Sequence, residues 1–225
     1  PSPTINGKFI DSYITQVLDG ISGLDNVPPI VLKSTVPPDI LDSLFDKYAN
    51  VLTIYNPEFL RQNCAKQDLL DMEKQYVYAT SDKNYDAFKA YIDNSDCNKE
   101  IERFQSYKKL SLFKYASNSF NATRVIFANC IYQLFTQMRD DEIREDEMSF
   151  EEFIDLFGEF LEMNKKRWGH NLRVPGPDGN FGYGGACLPK DVQALIEYSY
   201  NNDCPESFLL FSALEKINKV VRYDN

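Results

Sequence analysis

The sequence predicts an α/β region followed by an all-α region. Short apolar segments alternate with amphipathic helical patterns over roughly the first hundred residues, as in a sheet with crossover helices. A periodic apolar pattern without Pro or Gly then runs from about 108 to 138, and the segments that close the chain are again helical in periodicity. We therefore assign residues 1–105 to the α/β region and residues 106–225 to the helical region.

The predicted strands are short and rich in β-branched and aromatic residues. They cover residues 29–34 (PIVLKS), 51–55 (VLTIY) and 76–79 (YVYA). The helices between and after them are predicted from Pro37–Pro38, over residues 59–70 and over residues 82–92. Because strands and helices alternate with short links, we expect a parallel sheet.

In the second region the pattern of residues 108–138 predicts one long helix, of the kind that forms a bundle core or pairs subunits. Residues 149–163 predict an amphipathic helix that begins with a capping box formed by Ser149 and Glu152. Residues 164–185 are predicted to form a loop, because they are rich in Gly and Pro. The last two predicted helices cover residues 189–200 and 205–223.

Composition excludes several classes of function. Asp and Glu number 34 against 24 Lys and Arg, a net charge of −10, which argues against a nucleic-acid footprint. No apolar run approaches the ~20 residues of a membrane span, so we expect no membrane partner. The five cysteines are widely spaced without a CxxC pair, which indicates reduced thiols in a cytoplasmic protein and no metal site.

The chemically most informative stretch is residues 174–191, VPGPDGNFGYGGACLPKD. A helix is predicted directly after Cys187, where the free amides and the helix dipole favour a thiolate. Gly184 and Gly185 permit a tight backbone, so that a bulky substrate can reach the sulfur. Lys190 adds positive charge nearby. A buried thiol beside a turn is the alternative interpretation.

Other polar residues form three further candidate elements. Lys114 and Asn118 are four residues apart and share a helix face, where an ammonium and an amide could hold an oxyanion or a water. A solvated helix face is the alternative. Residues 33–38 (KSTVPP) and 56–61 (NPEFLR) follow neighbouring strands, at the edge where parallel sheets bind ligands. Each could instead be a helix cap.

Taken in order, these elements resemble the UDP-glucose/GDP-mannose dehydrogenase family of nucleotide-sugar dehydrogenases. The matching segments are KSTVPP (33–38), NPEFLR (56–61), KYASNSFNATRVIFAN (114–129) and GYGGACLPKD (182–191). For the fold, the resemblance implies the C-terminal half of a Rossmann-like parallel sheet followed by a helical central domain with a long helix, which carries the cysteine loop.

The resemblance implies a four-electron oxidation of a sugar primary alcohol to a carboxylate with NAD as the cofactor. A nucleotide sugar, UDP-glucose first, is the expected substrate. Cys187 would be the nucleophile, forming a thiohemiacetal and then a thioester. The other catalytic residues would be Lys114 and Asn118 for the oxyanion forms, Asp191 for a water or a proton, and Thr35 and Glu58 for the hydrolytic water.

Binding residues follow from the same resemblance. Those expected against the substrate are Gly184, Gly185, Phe59, Leu60 and Arg61, and those expected near NAD are Ser34, Thr35 and Lys190. Arg167 resembles the arginine that the family sends into a neighbouring subunit's substrate site, and Arg173 is a rival for that role because the loop is longer here. A homodimer or a higher homo-oligomer is therefore expected.

The sequence also departs from the family pattern. Gln62 replaces a usual Glu, and Cys130 follows Asn129 where Glu is common. The GxGxxG fingerprint does not occur in the 225 residues, and the family's first βαβ unit and its C-terminal nucleotide-binding domain have no match. These departures motivate an alternative, an inactive truncated homologue that acts as a dimerisation or interaction module. A related enzyme acting on another hydroxy substrate is a third possibility, but such an enzyme needs no nucleophilic thiol.

Overall fold

The computed structural model describes residues 4–5, 8–60, 65–95, 99–137, 148–161 and 172–223. It divides the chain into two compact units, Pro1–Ala116 and Ser117–Asn225. The predicted class is confirmed, since a four-stranded sheet with helices precedes a region of helices.

The elements of the first unit are β1 (Thr4–Ile5), β2 (Lys8–Phe9), α1 (Ser12–Ser22), β3 (Ile30–Leu32), α2 (Pro38–Lys47), β4 (Leu52–Tyr55), α3 (Ala65–Asp71), β5 (Lys74–Ala79), α4 (Asp82–Asp93) and β6 (Glu100–Arg103). Helix α5 (Tyr107–Gln137) contains residues of both units. The second unit continues with α6 (Phe150–Phe160), α7 (Leu188–Asn201) and α8 (Pro205–Tyr223).

The main sheet has the strand order β3-β4-β5-β6 and is mixed. Strands β3 and β4 are parallel, as are β5 and β6, but β5 runs antiparallel to β4. The prediction of a parallel sheet is therefore wrong for this central pair. The connection from Tyr55 to Lys74 contains 18 residues, which is long enough for a parallel crossover, so its length does not determine the direction of β5.

Several element boundaries also differ from the predictions. Of the helix predicted over residues 59–70, the structure describes α3 (Ala65–Asp71), and residues 59–60 are not helical. Strand β6, helix α1 and the β1–β2 hairpin were not predicted. The sequence of β6, EIER, contains only one apolar residue. Its hydrophobic pattern is therefore that of an exposed turn, and the strand could not be recognised from it. The end of the predicted helix at Met163 lies outside the described residues.

Two clusters of buried side chains cover the sheet of the first unit. The first joins α1, α2 and β4 through residues that include Leu18, Leu41, Leu44 and Leu52. The second joins β4, β5 and α4 through Ile54, Val77, Ala79, Phe88 and Ile92. Burial of these apolar side chains is the main contribution to the free energy that holds the strand ends in place.

A buried hydrogen bond fixes the segment between β3 and α2. The Ser111 hydroxyl donates to the Val36 carbonyl over 2.6 Å, and both residues are fully buried. Nearby, Asp42 accepts from the Tyr107 hydroxyl at 2.6 Å and lies 2.8 Å from the Lys108 ammonium. Burial and this hydrogen bond to Asp42 raise the pKa of Tyr107. The start of α5 is thus tied to the segment that follows β3.

In the second unit, α7 and α8 enclose an apolar core with the middle of α5. Its buried members are Ala122, Val125, Ile126, Tyr183, Val192 and Leu214. The predicted capping box of α6 is confirmed, because Ser149 accepts from the Glu152 N–H and the Glu152 carboxylate accepts from the Ser149 N–H. Within the described ranges, no helix is both long and apolar enough to cross a membrane.

We predict that Ser111→Ala lowers the free energy of unfolding by about 1–3 kcal/mol, because the Val36 carbonyl would be left buried without its donor. Urea denaturation followed by circular dichroism measures the change. Ser43→Ala is the control, since this exposed serine on α2 should change stability by less than about 0.5 kcal/mol. Equal stability of Ser111→Ala and the unmutated chain would show that the bond is not needed.

Candidate active site

The predicted site residues fall in both units, and the second unit contains the thiol. Cys187 is exposed and occupies the N-cap position of α7, as the sequence predicted from the helix that follows it. Its carbonyl accepts the Asp191 N–H at 3.0 Å, the first hydrogen bond of that helix. A thiol in this position is accessible to a substrate and adjacent to the free amides of the first helical turn.

Asp191 is a buried carboxylate, only 1% exposed. It accepts a hydrogen bond from the Asn118 amide and forms an ion pair with Lys190. Because an unpaired carboxylate is costly to bury, these two donors account for its position. The result is a fixed acceptor one helical turn after the thiol, which is suitable for orienting a water or receiving a proton.

The loop before Cys187 is held by side-chain amides. The Gly182 N–H donates to the Asn129 Oδ1 at 3.0 Å, and the Tyr183 N–H donates to the Asn218 Oδ1 at 2.7 Å. The amide of Asn218 donates back to the Tyr183 carbonyl at 3.1 Å. Both asparagines are buried, so these bonds are shielded from water.

Arg222, in the last turn of α8, contacts the same loop. Its guanidinium donates to the Phe181 carbonyl at 3.3 Å and lies 2.7 Å from the Asp178 carboxylate. A Cβ at Gly184 would collide with this guanidinium, so the structure places Gly184 against Arg222. Gly185 has a φ of +77°, a conformation that favours glycine, and has open space around it.

Asp178 and Arg222 form a pH-sensitive pair. Burial acts to raise the pKa of Asp178, but hydrogen bonds from Arg222 and from the Asn180 N–H lower this pKa below its ordinary value of 3.8. A lowered carboxyl pKa stabilises the folded loop above pH about 4, and the stabilisation is lost as the pH falls through the folded pKa.

In the first unit the ends of β3 and β4 come together. The Lys33 ammonium donates to the Asn56 Oδ1 at 2.9 Å and lies 3.6 Å from the Glu58 carboxylate. The Asn56 amide donates to the Tyr76 carbonyl at 2.8 Å. Thr35 follows β3 and is partly buried. The two polar segments predicted to form a rim are therefore bridged by Lys33, which the sequence analysis did not select.

Lys114 is buried beside an aromatic cluster in the same unit. Its ammonium lies 4.8 Å from the centroid of the Phe59 ring, a cation–π distance. Phe59 also packs against Tyr76 and Phe113, at centroid distances of 5.3 and 5.6 Å. Leu60 is partly buried. On α5, Lys114 and Asn118 occupy successive turns, as their spacing predicted.

The remaining predicted arginines differ in what the structure describes. Arg61 and Arg167 lie outside the described residues, as does Gln62. Arg173 is exposed and lies 3.3 Å from the Glu151 carboxylate. No group of His, Cys, Asp and Glu able to hold a metal ion occurs in the part of the chain that the structure describes.

Sequence reasoning missed Asn129, Asn218 and Arg222, which hold the cysteine loop. Asn129 lies at the end of a quoted motif, yet its type alone does not indicate a loop contact. Asn218 and Arg222 are four apart on α8, a weak signal of a shared polar face within an apolar helix. Nothing in the local sequence identifies the loop as their partner.

The sequence and the fold of the chain both resemble those of known proteins. No protein-family model matches the sequence. Among curated proteins, the chain is 32% identical over 203 residues to UDP-glucose 6-dehydrogenase of Rickettsia bellii, an alignment that covers 88% of this chain and 43% of that protein. The chain spans about half the length of the curated relatives it matches.

Two solved structures share the fold. One is a UDP-glucose dehydrogenase from the hyperthermophilic archaeon Pyrobaculum islandicum, with a TM-score of 0.70, 22% identity and coverage of 97% of this chain and 48% of that one. The other is a UDP-D-ManNAc dehydrogenase from Pyrococcus horikoshii, with a TM-score of 0.70, 18% identity and coverage of 98% and 49%. At these identities the likeness shows the fold alone. Together with the sequence relatives, it confirms the predicted resemblance.

We predict a coupling free energy of about 1.5–3 kcal/mol between Asn118 and Asp191 in a double-mutant cycle of Asn118→Ala and Asp191→Ala, because the hydrogen bond is charged and buried. Urea denaturation of the four proteins measures it. The matched control is the exposed amide–carboxylate pair Gln67 and Asp71, whose coupling should not exceed about 0.5 kcal/mol. Similar coupling in both cycles would contradict the role given to burial.

Proposed function

The chain belongs to the family of nucleotide-sugar dehydrogenases, and from this premise we propose that the whole protein oxidises the primary alcohol of a nucleotide sugar to a carboxylate. UDP-glucose is the first candidate substrate, because the sequence relatives carry that name. One observation carries the proposal. An exposed thiol, Cys187, begins a helix whose next turn holds the buried Asp191 carboxylate.

The proposed cofactor is NAD, which when bound accepts two electrons in each of two oxidation steps. The Ser34 and Thr35 hydroxyls fit its polar ribose or amide groups. Both follow the carboxyl end of β3, are partly exposed, and make no side-chain hydrogen bond within the described ranges. Lys190 fits a phosphate less well, because Asp191 already neutralises its charge.

Cys187 is proposed to carry the substrate through the second half of the reaction. After the alcohol has become an aldehyde, the sulfur adds to the carbonyl carbon and gives a thiohemiacetal. Oxidation of this adduct leaves a thioester, and water then cleaves the C–S bond, releasing the carboxylate and restoring the thiol. The exposure of Cys187 supports this role because the sulfur must reach a bulky sugar.

Asp191 and Asn118 are proposed to act on the water and on the oxyanion. The Asp191 carboxylate accepts the Asn118 amide and the Lys190 ammonium, so its orientation is set before a substrate arrives. A preoriented acceptor needs no rearrangement when a water or a hydroxyl proton approaches. In this assignment Asp191 orients the water or takes the proton, and the Asn118 amide supports the oxyanion.

Three residues of the first unit are assigned related roles. Thr35 and Glu58 are proposed to position the hydrolytic water, and Lys33 supports this assignment by holding Glu58 beside the end of β3. Lys114 is proposed to stabilise the oxyanion. Its burial against Phe59 supports that role, because an ammonium shielded from water interacts more strongly with a developing negative charge.

Substrate contacts are proposed from the family resemblance. The residues are Phe59, Leu60, Gly184, Gly185, Arg61, Arg167 and Arg173. Among the described ones, Gly185 has open space around it, which favours approach of a sugar. The Arg222 guanidinium occupies the space where a side chain of residue 184 would lie. A sugar would therefore contact Gly184 through its backbone atoms.

A second candidate function is a dimerisation or interaction module without catalysis. The observation in its favour is the set of large apolar side chains that the second unit exposes, among them Phe120, Phe127, Leu209 and Val220. A homo-oligomeric enzyme would also expose such a surface before assembly, so this surface alone does not distinguish the two functions.

Titration of the natural full-length protein with NAD+ distinguishes the two functions. Measurable binding of NAD+ supports the dehydrogenase, and the absence of binding supports the interaction module.

We predict that Cys187→Ser lowers the rate of acid formation by more than about 100-fold, because serine at this position is a far weaker nucleophile than a thiolate. The measurement is NADH and uronic acid produced by the natural full-length protein with UDP-glucose and NAD+. Cys204→Ser is the matched control, since Cys204 is also exposed but lies outside the site. Full acid yield from Cys187→Ser would refute the thioester route, and no NADH from the unmutated protein with any nucleotide sugar would refute the function.

A further inference from the structure

Helix α8 presents two polar side chains, one turn apart, to four consecutive residues of the cysteine loop. Asn218 bonds both the N–H and the carbonyl of Tyr183, and Arg222 bonds the Phe181 carbonyl and packs against Gly184. We propose that Asn218 and Arg222 are positioning residues for Cys187, which fix residues 181–184 and so determine where the thiol stands. The inference rests on the proposed function, in which Cys187 is the nucleophile.

The contacts are close enough to fix the backbone. A Cβ at Gly182 would collide with the Asn218 Oδ1, and a Cβ at Gly184 would collide with the Arg222 guanidinium. Gly182, which also has a φ of +68°, therefore allows α8 to approach the loop more closely than another residue would, whereas the group beside Gly184 is the end of the flexible Arg222 side chain. Asn129 adds a bond to the Gly182 N–H from α5, so Gly182 and its neighbour Tyr183 are held from two helices.

The held segment is separated from the thiol by a short tether. Only Gly184, Gly185 and Ala186 lie between Tyr183 and Cys187, and α7 begins at the next residue, Leu188. A tether of three residues spans at most about 10 Å, so it limits how far the thiol can lie from the residues that α8 holds. The two glycines give the tether little stiffness of its own. Its geometry is therefore set by the residues held on either side.

Arg222 is the residue to change, because it is partly exposed in the last turn of α8 and its loss need not unfold the core. Its bonds are also specific: it joins Asp178 and Phe181, four and one residues before Gly182. The matched control is Lys216→Met, which removes a cation from an exposed position on the same helix. Arg222→Lys is the conservative variant, which retains the charge that faces Asp178 but loses the planar donor pair.

The first measurement is independent of catalysis and uses the 225-residue chain. In Arg222→Met we expect amide hydrogen exchange of residues 182–184 to accelerate at least about fivefold, with Arg222→Lys intermediate and Lys216→Met unchanged. We also expect alkylation of Cys187 by iodoacetamide, normalised to Cys204, to slow at least about threefold, because the sulfur is no longer held at the amides of α7. An unchanged Cys187 to Cys204 ratio would overturn the proposal.

The second measurement uses the natural full-length protein with UDP-glucose and NAD+. Arg222→Met should lower kcat for acid formation by about 10- to 100-fold, as expected for a displaced nucleophile, and leave the KM for NAD+ within about twofold. Faster exchange with an unchanged kcat would overturn the positioning role. If the unmutated protein makes no NADH, the proposed function fails, and the alkylation ratio still decides whether Arg222 positions the thiol.

Discussion

The buried carboxylate of Asp191 is the constraint on which the second unit depends. A carboxylate that is 1% exposed is tolerated only if donors replace its lost hydration, and the Asn118 amide and the Lys190 ammonium are those donors. The requirement fixes α7 against α5, because Asn118 and Asp191 come from different helices. Since Cys187 stands one turn before Asp191, the position of the thiol is tied to the same requirement.

The loop that leads to the thiol depends on glycine for a related reason. Asn218 and Arg222 bond its backbone, and these bonds form only where the backbone of the loop comes close to α8. Gly182 and Gly184 permit that approach, whereas Gly185 has open space around it and a backbone conformation that favours glycine. The glycines of this motif thus allow close packing of the loop against α8 on one side and leave open space near the sulfur on the other.

Sequence reasoning reached the features that are encoded locally. Helical periodicity predicted α5 and α7, and the Ser149–Glu152 spacing predicted a capping box that the structure contains. It did not predict that β5 runs antiparallel to β4, because alternation of apolar residues indicates which residues are buried but not which direction a strand takes. Asn218 and Arg222 were missed for a similar reason: their partners lie 35 and more residues away, and side-chain type does not name a partner.

Most of the positively charged side chains around the candidate site are suited to holding other side chains in place and not to binding an anionic ligand. The chain has a net charge of −10, and four of the described cations around the candidate site are paired with carboxylates: Lys33 with Glu58, Lys190 with Asp191, Arg222 with Asp178 and Arg173 with Glu151. A cation neutralised by a carboxylate contributes little to the attraction of a diphosphate, since its field is largely cancelled at longer range. These pairs hold side chains and loops of the candidate site in place. Under the proposed function, recognition of the nucleotide's phosphates is therefore assigned to other groups, and Arg61 and Arg167, which the family resemblance selects, are the side chains to substitute first.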